Sequence, residues 1–230
     1  MASFGEKKPL QSLRKNSSFF LIEGTPKSMQ TMQNQILRRL WRFETGKAFS
    51  AKDFLDIASR TTIDVALAKL AAEGKIRRIR RGLYDTPKFN PALGGKLSPD
   101  IDEAARAIAR RQHWTIVPEG AWAANLLGLS TQVPSKIVYL TDGPTKEIQI
   151  GRRSIYFRHA GPKVMAGLEG KPALVIQALR YLGEDNVGTR EIETLRSTLS
   201  PQERRHFLKN TRFSLDWVHD VAKRIAEART

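Results

Sequence analysis

The 230-residue chain contains no cysteine, no long apolar run and no glycine-rich phosphate loop. Without cysteine, it has no disulfides, no thiolate nucleophile and no cysteine-based zinc or iron–sulfur sites. The longest apolar stretch in the first part of the chain, Phe19 to Ile22, is too short for a membrane span or for the apolar region of a signal peptide. We therefore expect a cytoplasmic protein that binds no cofactor and no membrane.

The residue types that commonly build active sites lack a catalytic arrangement in this sequence. Asp142 and Glu147 lie on either side of a turn, as the two acidic residues of some nuclease sites do. Such sites have a lysine two residues after the second acid, but this position is Gln149. The histidines are scattered and do not have the spacing of metal ligands: His113, His159, His206 and His219. We expect a protein that is not an enzyme and that holds no metal.

Positive charge is what the sequence has in excess. Lys and Arg number 39 against 23 Asp and Glu, which gives a formal net charge of +16 and an isoelectric point near 10.4. Residues 1–97 hold 19 of the cations and only 8 of the acids, so most of the excess lies in that part of the chain. Such a balance favours a polyanionic partner, which could be DNA, RNA or an anionic membrane surface.

The segment from Ser50 to Thr86 has the element order of a winged helix-turn-helix. Ser50 precedes a short helix, and Ser59 to Thr62 supply a turn and the cap of a second helix. That second helix has an apolar stripe at i, i+3, i+4 and i+7 from Ile63 and ends at Gly74. Lys75 to Tyr84 then predicts two strands around a turn that contains Gly82.

The whole chain is predicted to be α+β, with an N-terminal winged helix-turn-helix followed by a mixed α+β domain that ends in helices. We expect a poorly ordered basic arm at 1–27, the DNA-binding domain at 28–90 with its first helix from Ser28 to Phe43, a linker from Pro87 to Pro99, and the second domain at 91–230. In that second domain the sequence predicts strands near 114–117, 136–141, 147–150 and 154–158, and helices near 99–111, 119–127, 172–182, 189–199, 201–209 and 214–228.

The second helix of the motif is the expected recognition helix. Arg60, Thr61 and Thr62 would lie at the end that enters a major groove, with Asp64, Val65 and Lys69 farther along its outer face. Arg60 is the best candidate for a bidentate contact to guanine, which contributes ~1–3 kcal/mol of discrimination. The alternative for the two threonines is that they only cap the helix.

Two groups of cations are candidate contacts to nucleic acid. The predicted wing carries Lys75, Arg77, Arg78, Arg80 and Arg81, which we expect at phosphates or in a minor groove rather than on a merely solvated face. The strands of the second domain carry a further basic set: Lys136, Lys146, Arg152, Arg153, Arg158 and Lys163. This set would bind DNA, an acidic patch on a protein toxin or the RNA target of such a toxin. The alternative is that these cations only discourage pairing between exposed strand edges. Trp114, Trp122 and Tyr139 are expected in the core.

One stretch links the chain to a known family. The segment PEGAWAANLLGLSTQVP at 118–134, followed by KIVYLT at 136–141 and by Ile150-Gly151 and Ile155, resembles the AbiEi antitoxins over roughly residues 30 to 165. The resemblance implies a winged helix followed by an antitoxin domain. It also implies a bacterial type IV toxin–antitoxin or abortive-infection antitoxin that represses its own operon, with a nucleotidyltransferase toxin encoded beside it.

Our leading hypothesis is therefore an AbiEi-like antitoxin and autorepressor that binds inverted repeats in double-stranded DNA, as a homodimer on that DNA. A second hypothesis is an accessory or nuclease component of a mobile element, for which metal-dependent nicking would be the evidence. A third is a stand-alone DNA-binding regulator that binds a promoter and has no toxin.

Overall fold

A computed structural model describes residues 27–165 and 170–227. The predicted α+β class is confirmed, because helices and three small sheets alternate along the chain without a repeating βα unit. The predicted basic arm lies outside the described residues, apart from Lys27, which begins the first helix. Within the two described ranges, no helix combines the length and the apolar composition needed to cross a membrane.

The first region pairs two helices with a three-stranded antiparallel sheet. Helix α1 spans Lys27–Leu40 and α2 spans Arg60–Ala72, and the sheet contains β1 (Ala48–Phe49), β2 (Arg77–Arg80) and β3 (Leu83–Asp85) in the order β1-β3-β2. Between β1 and α2, the predicted short helix is a single 3-10 turn at Ala51–Phe54. The apolar stripe of α2 is buried in this region's core, together with Ile36, Phe49 and Phe54.

The segment predicted as a linker is structured. It holds a two-stranded hairpin of β4 (Phe89–Asn90) and β5 (Gly95–Lys96), joined by a 3-10 turn at Pro91–Leu93. Leu97 N donates to the Lys88 carbonyl oxygen, which closes the segment. Proline and glycine therefore mark tight turns here instead of an open connection.

The second region is built on a four-stranded mixed sheet. Helix α3 (Ile101–Gln112) precedes strands β6 (Ile116–Pro118), β7 (Ile137–Thr141), β8 (Lys146–Ile150) and β9 (Arg153–His159), which lie in the order β6-β7-β9-β8 with β7 and β9 parallel. Ala48 and Leu83 of the first region are buried in the same core as α3 and the inner side chains of this sheet. Residues on both sides of the predicted domain boundary at residue 90 therefore belong to one apolar core.

A buried tyrosine fastens α3 and α4 (Gly120–Leu126) to the sheet. The Tyr139 hydroxyl accepts a hydrogen bond from Trp122 Nε1 at 2.8 Å and donates to Asp102 Oδ1 at 2.7 Å. Arg106 Nε in turn donates to the other carboxylate oxygen of Asp102 at 2.6 Å. Burial, with the nearby Asp102 carboxylate, raises the pKa of Tyr139 well above its usual value, so the hydroxyl keeps its proton. Trp122 and Tyr139 are core residues, as predicted.

The remaining helices form a bundle with its own apolar core. After the short α5 (Pro162–Met165), α6 (Gly170–Leu182), α7 (Thr189–Thr198), α8 (Pro201–Asn210) and α9 (Asp216–Ala226) follow the predicted helices to within about two residues. Helix α8 begins as predicted, because Ser200 accepts a hydrogen bond from Glu203 N and Glu203 accepts one from Ser200 N. Helix α6 packs on α4, so the bundle is joined to the sheet region through these two helices.

Candidate nucleic-acid interface

The first turn of α2 is held by a serine cap and exposes one threonine. Ser59 Oγ accepts a hydrogen bond from Thr62 N at 3.4 Å and bonds to the Thr62 hydroxyl at 2.8 Å. Thr62 is therefore part of the cap, as the alternative interpretation held, whereas Thr61 is exposed. The first turn can present Thr61 without disturbing the capping bonds.

The outer face of α2 is open to solvent. Arg60 Nε donates to Asp64 Oδ2 at 2.9 Å, and both side chains are nearly half exposed. That pair leaves the two terminal nitrogens of Arg60 without a hydrogen bond to any other described residue. Val65 is 46% exposed on the same helix, and Lys69 is half-buried. An exposed i,i+4 ion pair contributes little stability, so a ligand can displace it at small cost.

Arg77, which is predicted as a phosphate contact of the wing, is bonded to an internal carboxylate. Its Nε and Nη2 donate to the two carboxylate oxygens of fully buried Asp85 at 2.9 and 2.5 Å, and its Nη1 donates to the Leu97 carbonyl oxygen at 2.6 Å. Arg77 and Asp85 are directly opposite each other in the β2–β3 register. The guanidinium is therefore held in an internal bidentate pair, which makes it less available to a phosphate than the exposed arginines of the hairpin.

The other arginines of the hairpin face solvent. Arg78, Arg80 and Arg81 are exposed, and within the described residues none of them belongs to an ion pair. Gly82 closes the turn with a φ of +71°, a conformation that favours glycine. Lys75, at the base of the hairpin, pairs with Glu73 at 3.0 Å. Of the five cations predicted at phosphates, three are thus exposed and unpaired.

These elements enclose a groove of about 560 Å³ between the first and second regions. One wall is α2 with the β2–β3 hairpin, and the other is α3 with β8. One acid, Asp64, lines the groove against six cations, which are Arg60, Arg78, Arg80, Arg81, Arg111 and Lys146. The groove therefore concentrates positive charge along one open surface, as a polyanion site requires.

Arg111 is a groove residue that the sequence analysis did not single out. Its Nη1 lies 3.4 Å from the carbonyl oxygens of both Arg81 and Gly82, at the tip of the hairpin. In the sequence it is one of two arginines in the last turn of α3, where cations simply complement the helix dipole. No local signal separates that role from the long-range contact that the fold creates.

The neighbouring Arg110 fixes how α3 sits against the first region. Its Nε donates to Asp53 Oδ1 at 3.1 Å and its Nη2 donates to the Ala48 carbonyl oxygen at 2.8 Å. Lys52 Nζ also lies 2.7 Å from His113 Nε2. These contacts fix the position of α3 relative to the first region, and therefore the distance between the two walls of the groove.

The second predicted basic set is not one surface. Lys146 lines the groove, but Arg158 pairs with Glu119 in a different cleft, and Lys136 Nζ lies 6.0 Å from the ring centroid of Tyr156. Arg152 and Arg153 are exposed at the β8–β9 turn, and the side chain of Lys163 lies outside the described residues. Strand alternation and the sheet order separate residues that the sequence places close together. Across 27–165 and 170–227, no three His, Asp or Glu side chains form a group that could hold a metal ion.

Comparison with known proteins gives one family. The model of a family of unknown function, DUF6088, matches residues 35–207. No curated protein matches the sequence. Among solved structures, the RV2827C protein from Mycobacterium tuberculosis is similar over 87% of this chain and 83% of that chain, with 16% identity and a TM-score of 0.41. That similarity is too weak to establish a shared fold or function.

Proposed function

We propose a function for this chain from its own residues, because it belongs to DUF6088, a family of unknown function. The function is DNA binding by a winged helix-turn-helix, in which α2 is the recognition helix and the β2–β3 hairpin is the wing. The observation that carries the proposal is the exposed, unpaired set of Arg78, Arg80 and Arg81 beside the open face of α2. Sequence-specific binding to a duplex uses an exposed helix and exposed cations together. The helix contacts the edges of the bases, and the neighbouring cations contact the phosphate backbone.

In this arrangement the start of α2 enters the major groove. Arg60 exchanges its bond to Asp64 for the O6 and N7 atoms of a guanine, and Thr61 contacts a neighbouring base or phosphate. The hairpin arginines then lie along the phosphates of the adjacent minor groove. They add affinity for any duplex and little sequence information.

The biological role that we propose is that of an AbiEi-like antitoxin and autorepressor in the bacterial cytoplasm. It rests on the resemblance of residues 118–134, which form the end of β6, helix α4 and the turn after it. A homodimer on inverted repeats would place two α2 helices on one face of the operator. The second region would then face a nucleotidyltransferase toxin or the RNA on which that toxin acts.

The direct experiment on DNA binding is a gel shift of the full chain with the duplex upstream of its own gene and with a shuffled duplex of equal length. We expect tighter binding to the upstream duplex, and we expect Arg60→Ala to reduce the preference by about tenfold. Arg190→Ala, an exposed change on α7, is the matched control. Equal binding to both duplexes by the wild-type chain would contradict a repressor.

The antitoxin role needs a separate experiment, since DNA binding does not depend on it. Cells expressing the nucleotidyltransferase encoded next to this gene are expected to grow only when this chain is co-expressed. Promoter binding without such rescue would favour the stand-alone regulator. Metal-dependent nicking of duplex DNA by the purified chain would favour the nuclease component.

A further inference from the structure

A second cleft, of about 620 Å³, lies in the other part of the molecule. It opens at the carboxyl ends of the parallel strands β7 and β9, between the residues that follow β9 and one face of α6. Its volume falls in the range of ~300–1,000 Å³ that is typical of small-molecule sites. None of its lining residues belongs to the groove beside α2, so the two sites are separate.

The feature that marks this cleft is a buried carboxamide. Gln177 is only 7% exposed, lines the cleft, and makes no hydrogen bond to a described residue. Gln177 has no fully buried amide atom without a partner, so its carboxamide reaches the cleft, where a ligand can take the place of water. The cleft therefore offers one hydrogen-bond donor and one acceptor side by side on a side chain whose stem is buried.

The same face of α6 carries a cation and an aromatic ring. Arg180 and Tyr181 follow Gln177 by three and four residues, which places all three side chains on one side of the helix. Arg180 is exposed and, within the described ranges, has no ion-pair partner. The Tyr181 ring is 53% exposed beside the cleft. The face thus offers a stacking surface, a hydrogen-bonding edge and a charge.

The opposite wall adds a second guanidinium. Arg158 at the end of β9 lines the cleft and pairs with the carboxylate of Glu119, so its charge is partly balanced. His159 Nδ1 lies 2.9 Å from the Gly143 carbonyl oxygen, which sets the orientation of the ring at the edge of the cleft. Two guanidinium groups against one carboxylate favour an anionic ligand.

We propose that this cleft binds an adenine nucleotide. The base lies against Tyr181, and its N6 and N7 atoms pair with the adjacent oxygen and nitrogen of the Gln177 carboxamide, which is the geometry that glutamine uses for adenine. The phosphate lies between Arg180 and Arg158. The site is independent of DNA binding.

The test is isothermal titration of the full chain with AMP, adenosine and inorganic phosphate. AMP is expected to bind at least about tenfold more tightly than either fragment, because only AMP engages both ends of the cleft. Arg180→Ala and Gln177→Leu are each expected to weaken AMP binding about tenfold. Arg190→Ala on α7 is the control and should bind like the wild type.

A second measurement separates a ligand contact from a structural role for Gln177. Because the carboxamide makes no hydrogen bond to another residue in the described part of the chain, Gln177→Leu should keep or raise the melting temperature while it weakens AMP binding. Absence of AMP binding, equal binding of AMP and inorganic phosphate, or wild-type affinity in both Arg180→Ala and Gln177→Leu would each overturn the proposal.

Discussion

The two faces of the β2–β3 hairpin use the same residue type for opposite purposes. On the inner face, Arg77 bonds both oxygens of buried Asp85 and the carbonyl of Leu97, and Ile79 packs against the core shared with α3. On the outer face, Arg78 and Arg80 extend into solvent beside α2. The alternation of a strand accounts for the division, since successive side chains point to opposite sides.

The two faces differ in what an arginine gives up when it binds an anion. A guanidinium that pairs with a buried carboxylate would have to weaken that pair in order to move toward a phosphate. A solvated guanidinium gives up only water and gains a charge-assisted bond. Local density of arginine in a sequence therefore overstates the binding surface when one face of the strand is buried.

The largest expected effect comes from the inner face. Replacing Arg77 by alanine leaves Asp85 buried without its partner, so we expect a loss of about 3 kcal/mol in the free energy of unfolding. Arg78→Ala, one residue away on the outer face, is expected to change it by less than about 0.5 kcal/mol. Urea denaturation of the two variants measures both values. Equal losses would abolish the distinction between the faces.

The far wall of the groove gives the next effect. Lys146→Glu reverses a charge that lines the groove, and we expect duplex affinity to fall about tenfold through the lost phosphate contact and the new repulsion. Lys136→Glu makes the same change on the same sheet outside the groove and should have little effect. Fluorescence anisotropy with a labelled duplex measures both. Similar losses in the two variants would mean that only net charge matters.

The smallest effect tests how the hairpin is positioned. Arg111→Lys keeps the charge in the groove but loses the paired contact of one guanidinium with the Arg81 and Gly82 carbonyls. We expect about threefold weaker duplex binding and faster amide exchange at the hairpin tip, without a change in melting temperature. Unchanged exchange at the tip would show that Arg111 acts through its charge alone.

Periodic features of this chain could be predicted from its sequence, and features that depend on register could not. The stripe from Ile63 to Leu70 and the cap at Ser200 were predicted correctly, because each is fixed by residues within one or two helical turns. The Arg77–Asp85 pair was missed, since it exists only once the two strands adopt their register. The hairpin within the predicted linker from Pro87 to Pro99 does not follow from the sequence, because turns and linkers have the same composition.

The candidate site shows the same division. The exposed cations of the hairpin and the open face of α2 follow from local sequence, whereas the contributions of Arg111 and Lys146 come from elements that only the tertiary fold brings to the groove. The sequence predicts one basic surface on the second sheet, because strand order does not follow from a single sequence. The observed order, β6-β7-β9-β8, distributes its members over different surfaces.

The most direct test of the central claim is the salt dependence of duplex binding by the wild-type chain and by the triple variant Arg78→Ala, Arg80→Ala, Arg81→Ala. If the outer face of the hairpin binds phosphates, the slope of log affinity against log salt should fall by about 3, and specific and shuffled duplexes should lose affinity alike. The control is the triple variant Lys136→Ala, Arg152→Ala, Arg153→Ala, which removes equal charge elsewhere. An unchanged dissociation constant with an unchanged salt slope in the hairpin variant would contradict the account.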